Sequence, residues 1–206
     1  FTNMSTSIDL FENHIQIIQN SDFKIVREIT DDHNQIQICF DDGFRGIFEN
    51  INIINRLNVP ITIFIVTSFI DKEGYLSLSE IKELNHNPLI RIESHTHTHA
   101  DLTLFSKKEL DFEFSHSKKI LEDICDNEIT SLCYPKGIFN DKVVDIASHI
   151  YKLQYSSLPG NYYDDILPSV KRRSLVQFSS INNLRNIING GDHILYHWYK
   201  FKHFNS

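Results

Sequence analysis

The sequence IQICFDDG at residues 36–43 decides the fold class. Its apolar run, Ile36–Phe40, has the composition of a buried β-strand, and two carboxylates, Asp41 and Asp42, follow it directly. Gly43 then suits a tight turn out of the strand. Such an acidic pair is typical either of a site at the edge of a sheet or of a solvated Asp-Asp-Gly turn.

Similar β-rich runs recur along the chain, and stretches with the apolar spacing of a helix lie between most of them. This alternation predicts an α/β fold with a parallel sheet covered by helices, and both an open doubly wound sheet and a closed barrel fit it. The further strand-like runs are Ile61–Val66, Ile90–His95, Ser131–Tyr134, Leu153–Ser156 and Ile194–Trp198.

Helix boundaries are marked in several places. One apolar stripe covers residues 44–58 and another covers 106–125. Ser-x-x-Glu capping boxes precede two of the predicted helices, and an asparagine suits the start of a helix over 141–150. The predicted N-caps are Ser77, Ser106 and Asn140.

Composition limits the class of protein. The 206 residues suit one domain over 1–206, and 20 basic against 27 acidic residues give a formal net charge of −7. That balance argues against a phosphate-binding face, so we expect no nucleic-acid partner. The three cysteines share no C-x-x-C spacing, which argues against a zinc knuckle or a disulfide framework. The longest aliphatic run, 61–66, is far shorter than the roughly 20 residues that span a bilayer, so we expect no transmembrane segment.

Polar groups follow several of the strand-like runs, where parallel α/β folds place their sites. Three histidines alternate at the end of one run, at His95, His97 and His99. His95 and His99 are four apart, so a helical or tight-loop backbone places both imidazoles on one side, whereas His97 points elsewhere. Neutral imidazoles suit Zn²⁺, Ni²⁺, Co²⁺ or Fe²⁺, and the alternative is a surface loop of His and Thr.

Two later stretches are uninformative alone. Cys133–Gly137 is a strand that ends in a Pro-Lys-Gly turn, and Leu195 and His197 lie in the last apolar run. In this order, strand-Asp-Asp-Gly, His-x3-His, Tyr-Pro-x-Gly and Leu-x-His, the motifs resemble those of the polysaccharide deacetylase family. This is carbohydrate esterase family 4, with the NodB-homology domain. The resemblance spans about residues 36–198 and implies a distorted (β/α) barrel, usually of seven strands.

The resemblance also implies a set of site residues. Asp42, His95 and His99 match the metal ligands of the family, which hold one divalent ion; we expect Zn²⁺, with Co²⁺, Ni²⁺ or Fe²⁺ as alternatives. Asp41 matches the catalytic base. His197 matches the general acid, with Leu195 packed beneath the site, and the turn at Lys136-Gly137 matches the stretch whose backbone N–H holds the oxyanion. Tyr134 and Trp198 are further candidates for contact with substrate.

Two departures from the family pattern change the expectations. Cys133 stands where the family often has an arginine that orients the base. Arg172 and Arg173 occur together later in the chain, and in a strand only one of them can enter the site. We choose Arg172 as the partner of Asp41. Lys136 replaces an aromatic residue of the groove, and either it favours acidic glycans or it points into solvent.

The function that these residues predict is the removal of acetyl groups from N-acetylated sugars of a polysaccharide or oligosaccharide. The alternatives are an O-acetyl esterase on the same scaffold and a member that only binds glycan. An iron oxygenase with two histidines and one carboxylate is disfavoured, because the Asp41-Asp42 pair fits a hydrolytic base beside a metal ligand better.

Overall fold

Six parallel strands form the main sheet of the protein, which we describe from a computed structural model over residues 5–30, 33–162, 170–177, 179–192 and 195. A short parallel pair, β1 (Lys24–Ile25) and β2 (Gln35–Ile36), precedes it. Neighbours in sequence are neighbours in the main sheet, in the order β3-β4-β5-β6-β7-β8. These strands are β3 (Ile38–Phe40), β4 (Ile61–Ile65), β5 (Ile90–Ser94), β6 (Ser131–Cys133), β7 (Leu153–Tyr155) and β8 (Val170–Lys171).

The sheet curls until its two edges meet. In a flat sheet, β3 and β8 would lie about 24 Å apart, which is five strand spacings of roughly 4.8 Å. Instead, Arg173, just after β8, reaches Asp41, just after β3, with nitrogen–oxygen distances of 2.7 and 2.8 Å. The Tyr155 hydroxyl of β7 also donates to Gln37 Oε1 at 3.1 Å. The sheet is therefore a curled half-barrel, which agrees with the expected distorted (β/α) barrel, and its described part has six strands.

Seven α-helices occur in the described ranges, and every predicted N-cap is found. Ser77 and Ser106 each form a complete capping box, and the Asn140 side chain accepts from the Val143 N–H at 3.0 Å. The helices are α1 (Ile8–Gln19), α2 (Gly46–Glu49), α3 (Ile51–Leu57), α4 (Leu78–Asn85), α5 (Lys107–Cys125), α6 (Asp141–Ser148) and α7 (Ile181–Ile188). Within the described ranges, none of them has both the length and the apolar character needed to cross a bilayer.

Strand alternation sorts the core into two layers. One face of the sheet packs against helices and carries Ile63, Ile92 and Leu132 in the main apolar core. The other face lines the inside of the curl, where Phe64, Cys133 and Tyr155 form a second buried cluster. Residues that follow the strands keep this alternation, and it decides which side chains enter the site.

Two predicted elements differ from the structure. The run Ile36–Phe40 is divided at Gln37, because Ile36 pairs with β1 whereas Ile38 pairs with β4. The helical stripe over 44–58 is divided at Asn50, whose side chain donates to the Gly46 carbonyl at 2.8 Å. The last predicted run, Ile194–Trp198, lies outside the described residues except for Leu195.

Candidate metal and catalytic site

Asp42 lies at the turn that follows β3. Its φ of 69° is left-handed, and Gly43 continues the turn with a φ of 74°. A side chain at Gly43 would contact Ile65 at 3.4 Å, so glycine suits both the backbone and the space. This turn brings Asp42 Oδ1 to 3.5 Å from His95 Nε2 and 3.2 Å from His99 Nε2.

His95 is the buried member of this group. Its Nδ1 lies 2.7 Å from the Cys133 carbonyl oxygen, which can only accept, so Nδ1 carries the proton and Nε2 faces Asp42 with its lone pair. Burial lowers the pKa of His95, because it disfavours the charged ring, and this effect exceeds the opposing field of Asp41 and Asp42. A neutral imidazole with a free Nε2 is the form that ligates metal ions.

The three residues fit a divalent metal ion. Asp42 Oδ1 is buried and accepts no hydrogen bond from any residue that the structure describes. An orphaned carboxylate oxygen between two imidazole nitrogens is costly unless a cation satisfies it. Two histidines and one carboxylate also leave positions open for water and substrate, as catalytic zinc sites do.

His97 lies outside this group, as its spacing predicts. Its Nδ1 is 2.9 Å from Thr67 Oγ1, and its ring meets Phe112 and His116 edge-on. The loop is not helical: Thr96 and His99 have φ values of 68° and 61°. The two ligand-type histidines therefore share a side through a tight loop.

Asp41 lies beside the three residues, on the inner face of the sheet. Arg173 donates to both of its oxygens, at 2.8 and 2.7 Å, and the Cys133 thiol donates to Oδ2 at 3.6 Å. Burial alone would raise the pKa of Asp41, but the charge and hydrogen bonds of Arg173 outweigh it and hold that pKa well below its usual range. Asp41 is consequently ionised and fixed in orientation.

The expectation that Arg172 contacts Asp41 is wrong. Val170 packs in the main core, on the helix-covered face of the sheet. Because side chains alternate along a strand, Arg172 faces the same way as Val170, whereas Lys171 and Arg173 face the inside of the curl. Arg172 is 7% exposed, and Arg173 alone of the two reaches the site. The choice between them depended on register, which the expected spacing misplaced by one residue.

The turn after β6 provides another correction. Tyr134 was expected to contact substrate, but its ring is fully buried in the main core and stacks on Phe139, and its hydroxyl donates to Gln154 Oε1. Lys136 is exposed with a φ of 57°, and no described group accepts a hydrogen bond from its backbone N–H. The Gly137 N–H is used inside the turn, where it donates to the Tyr134 carbonyl at 3.0 Å. Of this pair, Lys136 is therefore the one with an available backbone donor.

The last predicted motif is only partly described. His197 and Trp198 lie outside the described residues. Leu195 was expected to pack beneath the site, but it is 48% exposed.

Sequence reasoning missed two groups around the site. Phe69 lies 6.1 Å from the His99 ring and packs against Tyr75, which stacks on Phe44 at 5.1 Å. These aromatic rings form one wall of the site, on the side of Asp42 and His99.

The second missed group is Glu113 of α5, which is buried and holds the histidine loop by three hydrogen bonds. Its signal in the sequence is a carboxylate on the apolar stripe of an amphipathic helix, next to Leu110 and Phe114.

Comparisons with known proteins identify the family and the fold. Residues 28–153 match the family model described as polysaccharide deacetylase. The chain is 26% identical over 127 residues to the "Putative polysaccharide deacetylase YxkH" of Bacillus subtilis (strain 168), covering 61% of this chain and 45% of that protein. It is 24% identical over 196 residues to the poly-beta-1,6-N-acetyl-D-glucosamine N-deacetylase of Staphylococcus aureus (strain MRSA252), covering 82% of this chain and 68% of that protein.

A solved structure also shares the fold. The Streptococcus pyogenes deacetylase PplD, in complex with acetate, superposes with a TM-score of 0.80 at 20% identity. The superposition covers 91% of this chain and 89% of that one. The chain thus shares nearly its whole fold with PplD, but spans less than half the length of YxkH.

Proposed function

Because the chain belongs to the polysaccharide deacetylase family, we propose that it is a metal-dependent hydrolase that removes acetyl groups from N-acetylated sugars of a glycan. One observation supports this most. An ionised carboxylate, Asp41, lies beside a separate Asp42–His95–His99 group that is suited to a metal. Metal-assisted hydrolysis of an amide uses both a metal-bound water and a base, whereas a site for binding alone needs no oriented base.

Asp42, His95 and His99 would hold one divalent ion, Zn²⁺ or else Co²⁺, Ni²⁺ or Fe²⁺. When bound, such an ion acidifies water and polarises the acetyl carbonyl. Asp42 supplies one negative charge to the site. The Nδ1–H of His95 is held by the Cys133 carbonyl, which keeps Nε2 directed inward.

Asp41 takes the proton of the attacking water. A carboxylate with so low a pKa is a weak base. Its fixed position beside the water compensates for this weakness, because Asp41 loses no side-chain entropy when the proton is transferred. Arg173 sets that position with a two-point contact. The free Lys136 N–H is the backbone donor for the oxyanion that develops.

The leaving nitrogen needs a proton of its own. After the water oxygen has bonded to the acetyl carbon, the carbon–nitrogen bond breaks as His197, in its protonated form, gives its proton to the nitrogen. The proton that Asp41 took from water then restores the protonated acid. The products are acetate and a free amino sugar. Trp198 is assigned to contact with substrate, and Lys136 to contact with acidic substituents through its exposed side chain.

The relative from Staphylococcus aureus makes a β-1,6-linked N-acetylglucosamine polymer the first substrate to test. We expect acetate release from it by the Zn²⁺-loaded or Co²⁺-loaded protein, and loss of release after chelation. The panel should include O-acetylated xylan and an N-acetylated glycan that contains uronic acid. The Asp41→Asn variant should retain metal and lose about 10²–10⁴-fold in rate.

Each outcome of the panel has a meaning. Release from O-acetylated glycans alone would replace the amidase by an esterase. Faster release from the acidic glycan would support the assignment of Lys136, and equal release would remove it. Absence of release from every glycan, with metal bound, would leave a glycan-binding protein and contradict the proposal.

A further inference from the structure

We propose that Glu113 is a positioning residue for the metal ligands, acting through the backbone of the loop between His95 and His99. The inference rests on the proposed metal site and adds a residue of α5 that does not touch the ion or the substrate. Glu113 is 2% exposed and lies on the buried face of that helix.

The carboxylate of Glu113 accepts hydrogen bonds from this loop at both of its oxygens. Oε2 accepts the backbone N–H groups of both His97 and Thr98 at 2.9 Å, and Oε1 accepts the Thr98 hydroxyl at 2.7 Å. Both bonded residues lie between the two ligand histidines in sequence. A shift of Glu113 would therefore move the segment that sets the distance between the His95 and His99 rings.

The loop requires such support because its backbone is strained. Thr96 and His99 are non-glycine residues with left-handed φ, a conformation that persists only where the surrounding structure holds it. Weaker contacts help: the Thr96 N–H donates to Ser94 Oγ and the His99 N–H to Thr96 Oγ1, both at 3.3 Å. The Ser68 N–H also donates to the His97 carbonyl at 2.9 Å, but the Glu113 bonds are charge-assisted, and such bonds are roughly twice as strong as neutral ones.

The charge of Glu113 also favours this role. Among the described residues, no lysine or arginine forms an ion pair with it, so its buried charge is stabilised mainly by the loop's own donors. A buried carboxylate without a cation is a poor source of stability. Its benefit is geometric, because it holds the loop in the conformation that places His99 Nε2 opposite Asp42.

A second buried carboxylate provides a matched control. Glu93 in β5 is also 2% exposed and accepts two backbone N–H groups, from Thr130 and Ser131 at 3.0 and 2.7 Å. Its ionic partner is Arg91, at 2.7 Å. Glu93 therefore resembles Glu113 in burial and bonding, but braces the strands rather than the histidine loop.

The test is the affinity of the metal-free protein for Co²⁺ and Zn²⁺, measured by calorimetry and by the visible absorption of Co²⁺. We expect Glu113→Gln to weaken binding about 10–100-fold, the usual effect of losing an outer partner of metal ligands. Glu93→Gln should lower the Tm without changing the affinity. Equal affinity in Glu113→Gln and the unchanged protein would overturn the inference and leave the metal site in place.

A milder variant covers the case in which Glu113→Gln does not fold. Thr98→Val removes only the hydroxyl contact and should weaken metal binding about fivefold, the effect of one hydrogen bond, whereas Thr98→Ser should restore it. Unchanged binding in Thr98→Val would then overturn the inference. Failure of the unchanged protein to bind either metal would overturn both this inference and the proposed metal site.

Discussion

Asp41 keeps its charge inside a buried site because Arg173 faces it with both terminal nitrogens. The same guanidinium donates to the Cys133 sulfur at 2.8 Å and lies over the Phe64 ring at 5.2 Å. Burial raises the pKa of the Cys133 thiol, so it remains a neutral donor toward Asp41. One arginine from the far edge of the sheet thus contacts both Asp41 and Cys133.

We expect Arg173→Ala to lower kcat about 10²-fold, the low end of the contribution of a positioned base. Asp41 is competent only when ionised, above its pKa. Without the guanidinium, burial raises that pKa, so activity should be lost at a higher pH on acidification. The measurement is kcat against pH with saturating metal, for Arg173→Ala and for Arg173→Lys, which keeps the charge but not the fork.

The matched control is Arg172→Met, which alters the adjacent arginine, on the other side of the chain. It should change the Tm and leave both kcat and the acidic limb of the pH profile where they are. If Arg172→Met moved the acidic limb and Arg173→Ala did not, the contact between Arg173 and Asp41 would have no catalytic meaning.

The spacing of Asp42, His95 and His99 predicts that they converge, and they do, because parallel strands end at one edge of a sheet. Their role as metal ligands stays a prediction. The prediction failed for residues whose orientation depends only on which face of a strand they occupy. Tyr134 and Arg172 are each one residue away from an inward position, and a slip of one residue exchanges the two faces of a strand.

At the scale of elements, local chemistry accounts for most boundaries. The capping boxes at Ser77 and Ser106 involve only four residues each, so the sequence alone reveals them. The break in the stripe over 44–58 is also local, but Asn50 replaces a backbone bond by a side-chain bond to Gly46. The spacing of apolar residues does not show where a side chain competes with the backbone for a hydrogen bond.

The start of α5 offers a direct test, because this helix carries Glu113. Ser106→Ala removes the cap on the Glu109 N–H and should cost about 1 kcal/mol of unfolding free energy. Ser115→Ala, at an exposed position within the same helix, should be neutral or slightly stabilising, since alanine is the better helix former. Urea unfolding of the two variants measures the difference, and equal midpoints would show that the box contributes nothing.

At the scale of the whole molecule, the curl of the sheet is what assembles the site. Asp41 and Arg173 are 132 positions apart in sequence and belong to opposite edges. Composition and periodicity predict the strands, but closure depends on contacts between distant residues that no short pattern contains. The family resemblance predicted a distorted barrel, and the curled sheet agrees with it. The alternation of strands and helices alone would fit an open sheet equally well.

Metal binding should therefore stabilise the entire fold, because its ligands come from the ends of two strands and from a strained loop. At a metal concentration 100-fold above Kd, linkage gives about 2.7 kcal/mol. For a chain of this size that corresponds to a rise in Tm of about 5–10 °C. Scanning calorimetry of the metal-free protein with and without Zn²⁺ measures this rise in Tm.

Asp42→Asn and His99→Ala should lose most of the rise in Tm. His97→Ala should keep it, because the His97 ring bonds Thr67 rather than the metal group. A full rise in His99→Ala, or its loss in His97→Ala alone, would move the metal away from Asp42 and His95.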